Sequence, residues 1–469
     1  MLIGELLGRK DVASPVSVGI LGAGNYGTAI ITQSTAIRHY EVIFVGDPNV
    51  DAARTACRLA GWGPERMATA DTADEVRRAR ARGMIAIATD PALIQAAHVD
   101  VVVEASGQAE AGARAALDAF ALGRHVVMVN KETDSVVGPL LARRAAEAGV
   151  VYTQADGDQP ALLLALWDWV RLLGLEVLVA GKSHDAELIL DGAAHCIRAG
   201  GRALRLQPEW RDALEPARTG IGKVIERRRA CFGSVIAAAN YDRIEMVCVA
   251  NGTDLTPLTG RYAEPILRTP EIPDALCLAP DGGVLTGPGG LDTVCSLREP
   301  EIPSMGGGVF VVVRCANDYS REILTTKGLI ANRVGTAALI YRPYHLCGVE
   351  TPISILAAAR LGVPTGARVA RPRWDAVAVA RRHLSAGTVI DTNLERTEQW
   401  TSRYETAELT RREGLIPLAM CAGLRLIREV AAGSDLTRHA VAVPTGSLLW
   451  RLRAEQDEAW AGEPAEGSR

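Results

Sequence analysis

The stretch Val16-Ser17-Val18-Gly19-Ile20-Leu21, followed by Gly22-Ala23-Gly24-Asn25-Tyr26-Gly27, decides the fold of this chain. A β-branched run leads into G-x-G-x-x-G, and the apolar-periodic residues 28–37 follow with helical spacing. Strand, glycine turn and helix in that order are the context in which a dinucleotide pyrophosphate is held. Gly22 makes the tight turn, Gly24 lets the backbone approach the phosphates, and Gly27 allows the helix to pack closely on the strand. The phosphates rest on the free N–H groups of the helix N-terminus. Gly22, Gly24, Asn25, Tyr26 and Gly27 are therefore expected to bind a nicotinamide cofactor. A glycine-rich turn alone is a weak signal, and here the flanks supply the specificity.

A second strand-like run, residues 41–46, ends in Asp47. A carboxylate about 20 residues beyond the glycines can accept hydrogen bonds from the ribose hydroxyls of NAD. The 2′-phosphate of NADP would meet like charge there. No arginine directly follows Asp47, and Arg54 is the nearest basic residue. NAD is the expected cofactor, with NADP possible.

Strand-like runs at 16–21, 42–46, 84–88, 99–105, 125–130 and 150–154 alternate with helical patterns, among them 108–122 and 140–148. The expected fold class is α/β. Residues 1–153 form a Rossmann doubly wound parallel sheet of six strands, and residues 154–368 a central α+β substrate domain. Residues 369–452 form a small, mostly-β module and residues 453–469 a flexible tail. The central part is read from its glycine and proline turns and from strand-like runs at 235–239, 244–249 and 309–314. The module is read from two related half-patterns, 376–384 leading to 386–390 and 417–427 leading to 432–436. Each is an apolar run ending in a small-residue/Gly turn.

The 469 residues suggest about two or three domains. Net charge is −4, aromatics are 4%, and the densest basic run, Arg227-Arg228-Arg229, follows Glu226. Neither a phosphate-tracking stripe nor a base-stacking platform is present, so no nucleic-acid partner is expected. The nine cysteines are scattered without a C-x-x-C pair, which excludes zinc or redox spacing. Their odd number, with no export pattern over residues 1–9, fits a cytoplasmic protein. The longest apolar stretch, 161–173, is interrupted by Asp168 and too short to span a bilayer, so no membrane partner is expected.

In open α/β sheets the reacting end of a dinucleotide lies over the carboxyl ends of the strands. Ser106-Gly107 and Asn130-Lys131-Glu132 fall there. Lys131 is placed where nicotinamide and substrate meet. Partial desolvation would pull its pKa down and suit it to donate or accept the proton of a carbonyl/alcohol couple. A solvent-facing loop lysine is the bland alternative. Lys182 follows the run 176–180 and the turn residue Gly181, and precedes Ser183-His184-Asp185. That polar cluster marks either a site mouth or an ordinary strand exit. Asp156 and Asp158 flank Gly157 as paired acids or as turn formers. In Tyr341-Arg342-Pro343-Tyr344-His345-Leu346, Arg342 suits bidentate grip of an anion, and His345 suits hydrogen bonding or proton shuttling. A structural histidine is the alternative. No metal-ligand spacing is present.

Taken together, the glycine fingerprint with Asp47, Val129-Asn130-Lys131-Glu132, Ala180-Gly181-Lys182 and Arg342-Pro343-Tyr344-His345-Leu346 resemble the homoserine-dehydrogenase-like oxidoreductases with a C-terminal SAF (antifreeze-like) domain. The half-patterns around Gly387 and Gly433 resemble that SAF module. Glu245-Met246 with Ala250-Asn251, the Gly-Lys pair and the Tyr-His-Leu element resemble the deoxyxylulose-phosphate reductoisomerase-like enzymes of the same group.

The resemblance implies NAD(P)-dependent oxidation or reduction of a small polar hydroxy or oxo compound by a homo-oligomer. It makes Lys131 and Lys182 the proton-handling or carbonyl-polarising lysines, and Glu245 and Asn251 substrate-binding candidates. The chain departs from the reductoisomerase pattern in Ser183-His184-Asp185 and in carrying a lysine at 131. Reductoisomerisation is the alternative activity. It would want a divalent metal, for which Asp156, Asp158 and Glu245 offer ligands. A non-catalytic NAD-binding sensor, with the SAF-like region holding a ligand, is the alternative from another class.

Overall fold

Short β-branched runs, buried on both faces, form β1 (Val16–Leu21), β2 (Tyr40–Gly46), β4 (Ile85–Ala88), β5 (Val101–Glu104), β6 (His125–Met128) and β7 (Tyr152–Gln154), with β3 (Met67–Thr69) at one edge. The computed structural model of the chain describes residues 4, 6, 14–199, 201–215, 220–233, 240–394 and 397–462. The seven strands are all parallel in the order β3-β4-β2-β1-β5-β6-β7. Helices Asn25–Gln33, Val50–Leu59, Ala73–Ala81, Ala109–Ala121 and Lys131–Glu147 make the crossovers, and separate apolar clusters lie under them. This is the expected Rossmann-type sheet with one strand more than expected. β3 is three residues long and only partly buried, so it carries no hydrophobic signal. Strand order reverses at β1, which places the glycine turn at the switch point.

The helix expected at 140–148 is Lys131–Glu147, so Lys131 opens a helix instead of lying in a loop. Asn130 caps it, its Oδ1 accepting from Thr133 N at 3.1 Å. Residues 132–141 are all buried, which erases the polar face that a helical period needs.

The second sheet is mixed. β8 (Val177–Ser183) runs parallel to Gly290–Arg298 and antiparallel to Val309–Arg314, which pairs in turn with Ala337–Arg342. β8 continues straight through Gly181-Lys182, so the expected turn is absent. A Cβ on Gly181 would collide with the Asp292 carbonyl and the Phe310 ring; glycine here serves close approach within the sheet. Residues 244–249, read as a strand, belong to helix Asn240–Gly252. Packed between helices Lys131–Glu147 and Gln159–Leu172 and the C-terminal strands, it is buried on nearly all sides and shows no amphipathic period. The run 235–239 lies outside the described residues.

The C-terminal part pairs Trp374–Ala380 with Trp400–Thr406 antiparallel and adds isolated bridges such as Val379 to Asp435, Leu384 to Val430 and Val389 to Arg425. It then closes with helix Leu448–Ala459, which corrects the flexible tail expected from 453 onward as far as 459; residues 463–469 lie outside the described residues. Arg453 is 1% exposed and donates to both oxygens of Asp375 at 2.6 and 2.7 Å, and to Asp457 at 2.8 Å. A charged run reads as solvated only when its partners are not visible, and Asp375 is 78 residues away. The same helix mends a defect in the nucleotide domain. Pro139, inside helix Lys131–Glu147, has no N–H to donate. One residue on, the Gln456 amide is inserted into the ladder, accepting from Leu140 N at 3.1 Å and donating to Val136 O at 2.9 Å. Among the described residues no helix is long and apolar enough to cross a membrane.

Candidate active site

Local geometry supports the nucleotide reading. Gly22 adopts φ +97°, a region that glycine enters at little cost and side-chain-bearing residues only with strain, and a Cβ on Gly27 would collide with the Gly22 carbonyl. Gly24 precedes helix Asn25–Gln33 with no side-chain cap, and a Cβ there would meet only open space. A cavity of about 530 Å³ lies beside the turn, lined by Gly22, Gly24, Asp47, Asp90, Glu104 and Ser106. Asp47 Oδ2 accepts from Ala23 N and Oδ1 from Asn49 N, each at 2.7 Å, so its carboxylate is fixed beside the glycine turn. Arg54 is turned to Thr69 at 2.6 Å. Tyr26, in contrast, points its hydroxyl at Asp156 O (3.2 Å) and Thr351 Oγ1 (3.1 Å), and ties segments together. Ser106, Gly107 and Asn130 meet at the ends of β5 and β6, where Asn130 Nδ2 donates to Gln108 O at 3.0 Å. Glu104, buried there, is pushed up to about 7 by desolvation.

Next to this rim, four separate segments deliver a row of alternating charges. Lys131 Nζ donates to Asp158 Oδ1 at 3.1 Å and to Glu245 Oε1 at 2.6 Å. Lys182 Nζ donates to the other Glu245 oxygen and to Asp242 Oδ1 at 2.7 Å. His184 Nδ1 lies 2.7 Å from Asp242 Oδ2. Each ammonium sits between two carboxylates. Lys182 is 1% exposed, whereas the side chain of Lys131 is 23% exposed and is the end of the row that solvent reaches.

Electrostatics follow from that order. Burial would lower Lys131, but the carboxylates of Asp158 and Glu245 outweigh it and hold the ammonium well above the ordinary lysine range. The expected downward shift is thus corrected: desolvation is present, but two facing anions exceed it. Lys182 is raised for the same reason, with Glu245 and Asp242 overcoming burial. Glu245 is lowered although buried, because both lysines favour its charged form. Asp158 is raised, burial there outweighing Lys131.

The other expected site residues divide. His345 reaches the neighbourhood of the row, its ring packed with Asp185 Oδ1 against Gly307, where φ is +72° and no Cβ would fit. Asp185 also accepts from Gln159 Nε2 at 3.0 Å. Arg342 pairs with Glu350 and stacks on Tyr344 at 4.7 Å, so its guanidinium already has an anion. Asp156 turns away from Asp158, with its carboxylate 3.1 Å from Ser354 Oγ. Asn251 is outside the site: its amide accepts from Arg373 N and Trp374 N and donates to Trp374 O, joining the central domain to the C-terminal strands. Asp242 and Gln159 are the residues that sequence reasoning left out, whereas His184 and Asp185 come from the polar cluster read as either a site mouth or a strand exit. Asp242 and Glu245 share a helix face at i and i+3, a signal hidden by reading 244–249 as a strand.

With this geometry in hand, comparison with known proteins gives a class. Residues 230–351, which carry Asp242, Glu245, Arg342 and His345, match the family model described as oxidoreductase DRL, catalytic domain. That part of the chain is similar in sequence to an oxidoreductase catalytic domain. A 1-deoxy-D-xylulose 5-phosphate reductoisomerase from a Bradyrhizobium species is 32% identical over 164 residues. That match takes in 34% of this chain and 40% of that enzyme, so it spans about two fifths of the curated relative. Among solved structures, the 1-deoxy-D-xylulose 5-phosphate reductoisomerase from Zymomonas mobilis in complex with NADPH is 23% identical with a TM-score of 0.27, over 37% of this chain and 46% of that one. GenD2 from gentamicin A biosynthesis in complex with NAD is 18% identical with a TM-score of 0.26, over 38% and 45%. Likeness of that extent is local.

Proposed function

We propose that the chain is an NAD(P)-dependent dehydrogenase or reductase, moving a hydride between nicotinamide and a carbonyl or carbinol carbon of a small polar metabolite. One observation carries the reading: at the carboxyl edge of the nucleotide sheet, the Lys131 ammonium is fixed by Asp158 and Glu245 beside the buried Lys182. An ammonium held there donates to a substrate oxygen and stabilises the alkoxide that forms on reduction more than the carbonyl it came from. Lys182 keeps Glu245 ionised, and Glu245 in turn orients Lys131. His345 and Asp185 stand ready for substrate hydroxyls. The bound nicotinamide supplies or removes the hydride; Gly22, Gly24 and Gly27 hold its pyrophosphate and Asp47 the adenosine ribose, with NAD preferred over NADP.

A second reading, reductoisomerisation of the deoxyxylulose-phosphate type, is favoured by the matches over residues 230–351 and to the Bradyrhizobium enzyme. The half-patterns of the C-terminal module support its likeness to a SAF domain in a homoserine-dehydrogenase-like chain. A cytoplasmic homo-oligomer with a small molecule as its partner completes the proposal.

The test is titration of the purified chain with NADH and NADPH, followed by nicotinamide fluorescence, with Asp47→Ala in parallel. NADH is expected to bind more tightly, with the preference narrowing by roughly tenfold in the variant. Failure of both nucleotides to bind overturns the reading.

A further inference from the structure

Reductoisomerisation of a keto compound is chemistry for which a divalent cation would hold two substrate oxygens, and Asp156, Asp158 and Glu245 are the carboxylates on offer. These residues do not fit one. Asp156 faces Ser354 instead of Asp158. Asp158 and Glu245 do converge, but on the Lys131 ammonium, at N···O separations of 3.1 and 2.6 Å, against roughly 2.0–2.1 Å for oxygen around magnesium. The other Glu245 oxygen is taken by Lys182, and Asp242 by Lys182 and His184. Among the described residues no group of three or more His, Cys, Asp or Glu is placed to hold a metal ion. A divalent ion entering between Asp158 and Glu245 would also stand against the Lys131 and Lys182 ammonium groups that these carboxylates already pair with.

We propose that Lys131 is the site's resident cation: its ammonium occupies the carboxylate fork that a divalent ion would otherwise fill, and polarises the substrate oxygen in the ion's place. This rests on the hydride-transfer reading above and says by what means the oxygen is activated. When the carbonyl carbon receives the hydride, the π pair of the C=O bond moves to oxygen. Lys131 passes one N–H proton to that oxygen, and the amine left behind takes a proton from water at its exposed side. Asp158 and Glu245 hold the Lys131 nitrogen in place throughout, and Lys182 prevents Glu245 from taking the proton itself. No metal is required for the step.

The experiment is calorimetric titration of the full chain with manganese(II), in wild type, Lys131→Ala and Lys131→Ala/Glu245→Gln, with NADH titration of each as the check on folding. Wild type is expected to bind no stoichiometric manganese. Lys131→Ala frees the fork and is expected to gain a site at least roughly tenfold tighter than any in wild type, which the added Glu245→Gln removes. Stoichiometric manganese on wild type that Asp158→Asn abolishes would overturn the proposal. So would a Lys131→Ala protein that binds NADH normally yet gains no manganese site. If Lys131→Ala does not fold, the wild-type titration still decides. Loss of NADH binding in wild type would strike the hydride-transfer reading instead, whatever the manganese result.

Discussion

Glu245→Gln is the substitution on which the charge row makes its sharpest claim. Glu245 is 3% exposed and, among the described residues, is the only one that accepts from both Lys131 and Lys182. A glutamine keeps one carbonyl oxygen for one ammonium and presents its NH2 to the other, donor against donor. One charge-assisted hydrogen bond worth about 1.5–3 kcal/mol is lost and a buried cation is left short of an acceptor, for a total near 3–5 kcal/mol, partly offset because a neutral amide is cheaper to bury. A net loss of about 3 kcal/mol is expected around pH 7, read by urea unfolding.

The pH dependence separates this from a packing defect. The two lysines outweigh burial and hold the folded-state pKa of Glu245 below its ordinary value. Its contribution is therefore full above the unfolded-state pKa, near 4.3, and is lost as pH falls through the lower folded value. The stability gap between wild type and variant should close on the acid side of about pH 4. A loss under about 1 kcal/mol at neutral pH, or a gap that does not change with acidification, would refute the reasoning.

Two further outcomes are expected. Arg453→Met leaves Asp375 buried without its cation and should cost about 3–5 kcal/mol in thermal or urea unfolding, most of it recovered by adding Asp375→Leu; a double variant no better than the single one would show that the pair matters only for packing. Gly27→Ala drives a Cβ into the Gly22 carbonyl and should remove NADH binding while lowering stability by about 1–3 kcal/mol, so unchanged fluorescence titration would mean that the turn does not hold the nucleotide.

What could be read from the sequence was what is local. The glycine turn, its flanking strands and Asp47 lie within about 30 consecutive residues, where turn chemistry and period suffice. Lys131 and Lys182 could be singled out because a strand end is a local feature. Their partners could not. Glu245 is 114 residues from Lys131 and 63 from Lys182, and it lies on a helix so buried that its period is blank. The misread elements share this cause. Residues 132–141 and 244–249 are apolar or buried all round, and Arg453 looks solvated until Asp375 is brought to it.

The Gln456 splice has a consequence for how the protein is made. A ribosome delivers the nucleotide segment first, and such segments ordinarily close while the rest of the chain is still being synthesised. Here the ladder of the helix that presents Lys131 is bridged by an amide 316 residues downstream of Leu140. The nascent sheet can form early, but the helix that begins at Lys131 gains its bridging amide only after the C-terminal helix emerges and docks. Chains cut short before Gln456 would leave the Leu140 N–H and the Val136 carbonyl without the amide that bridges them.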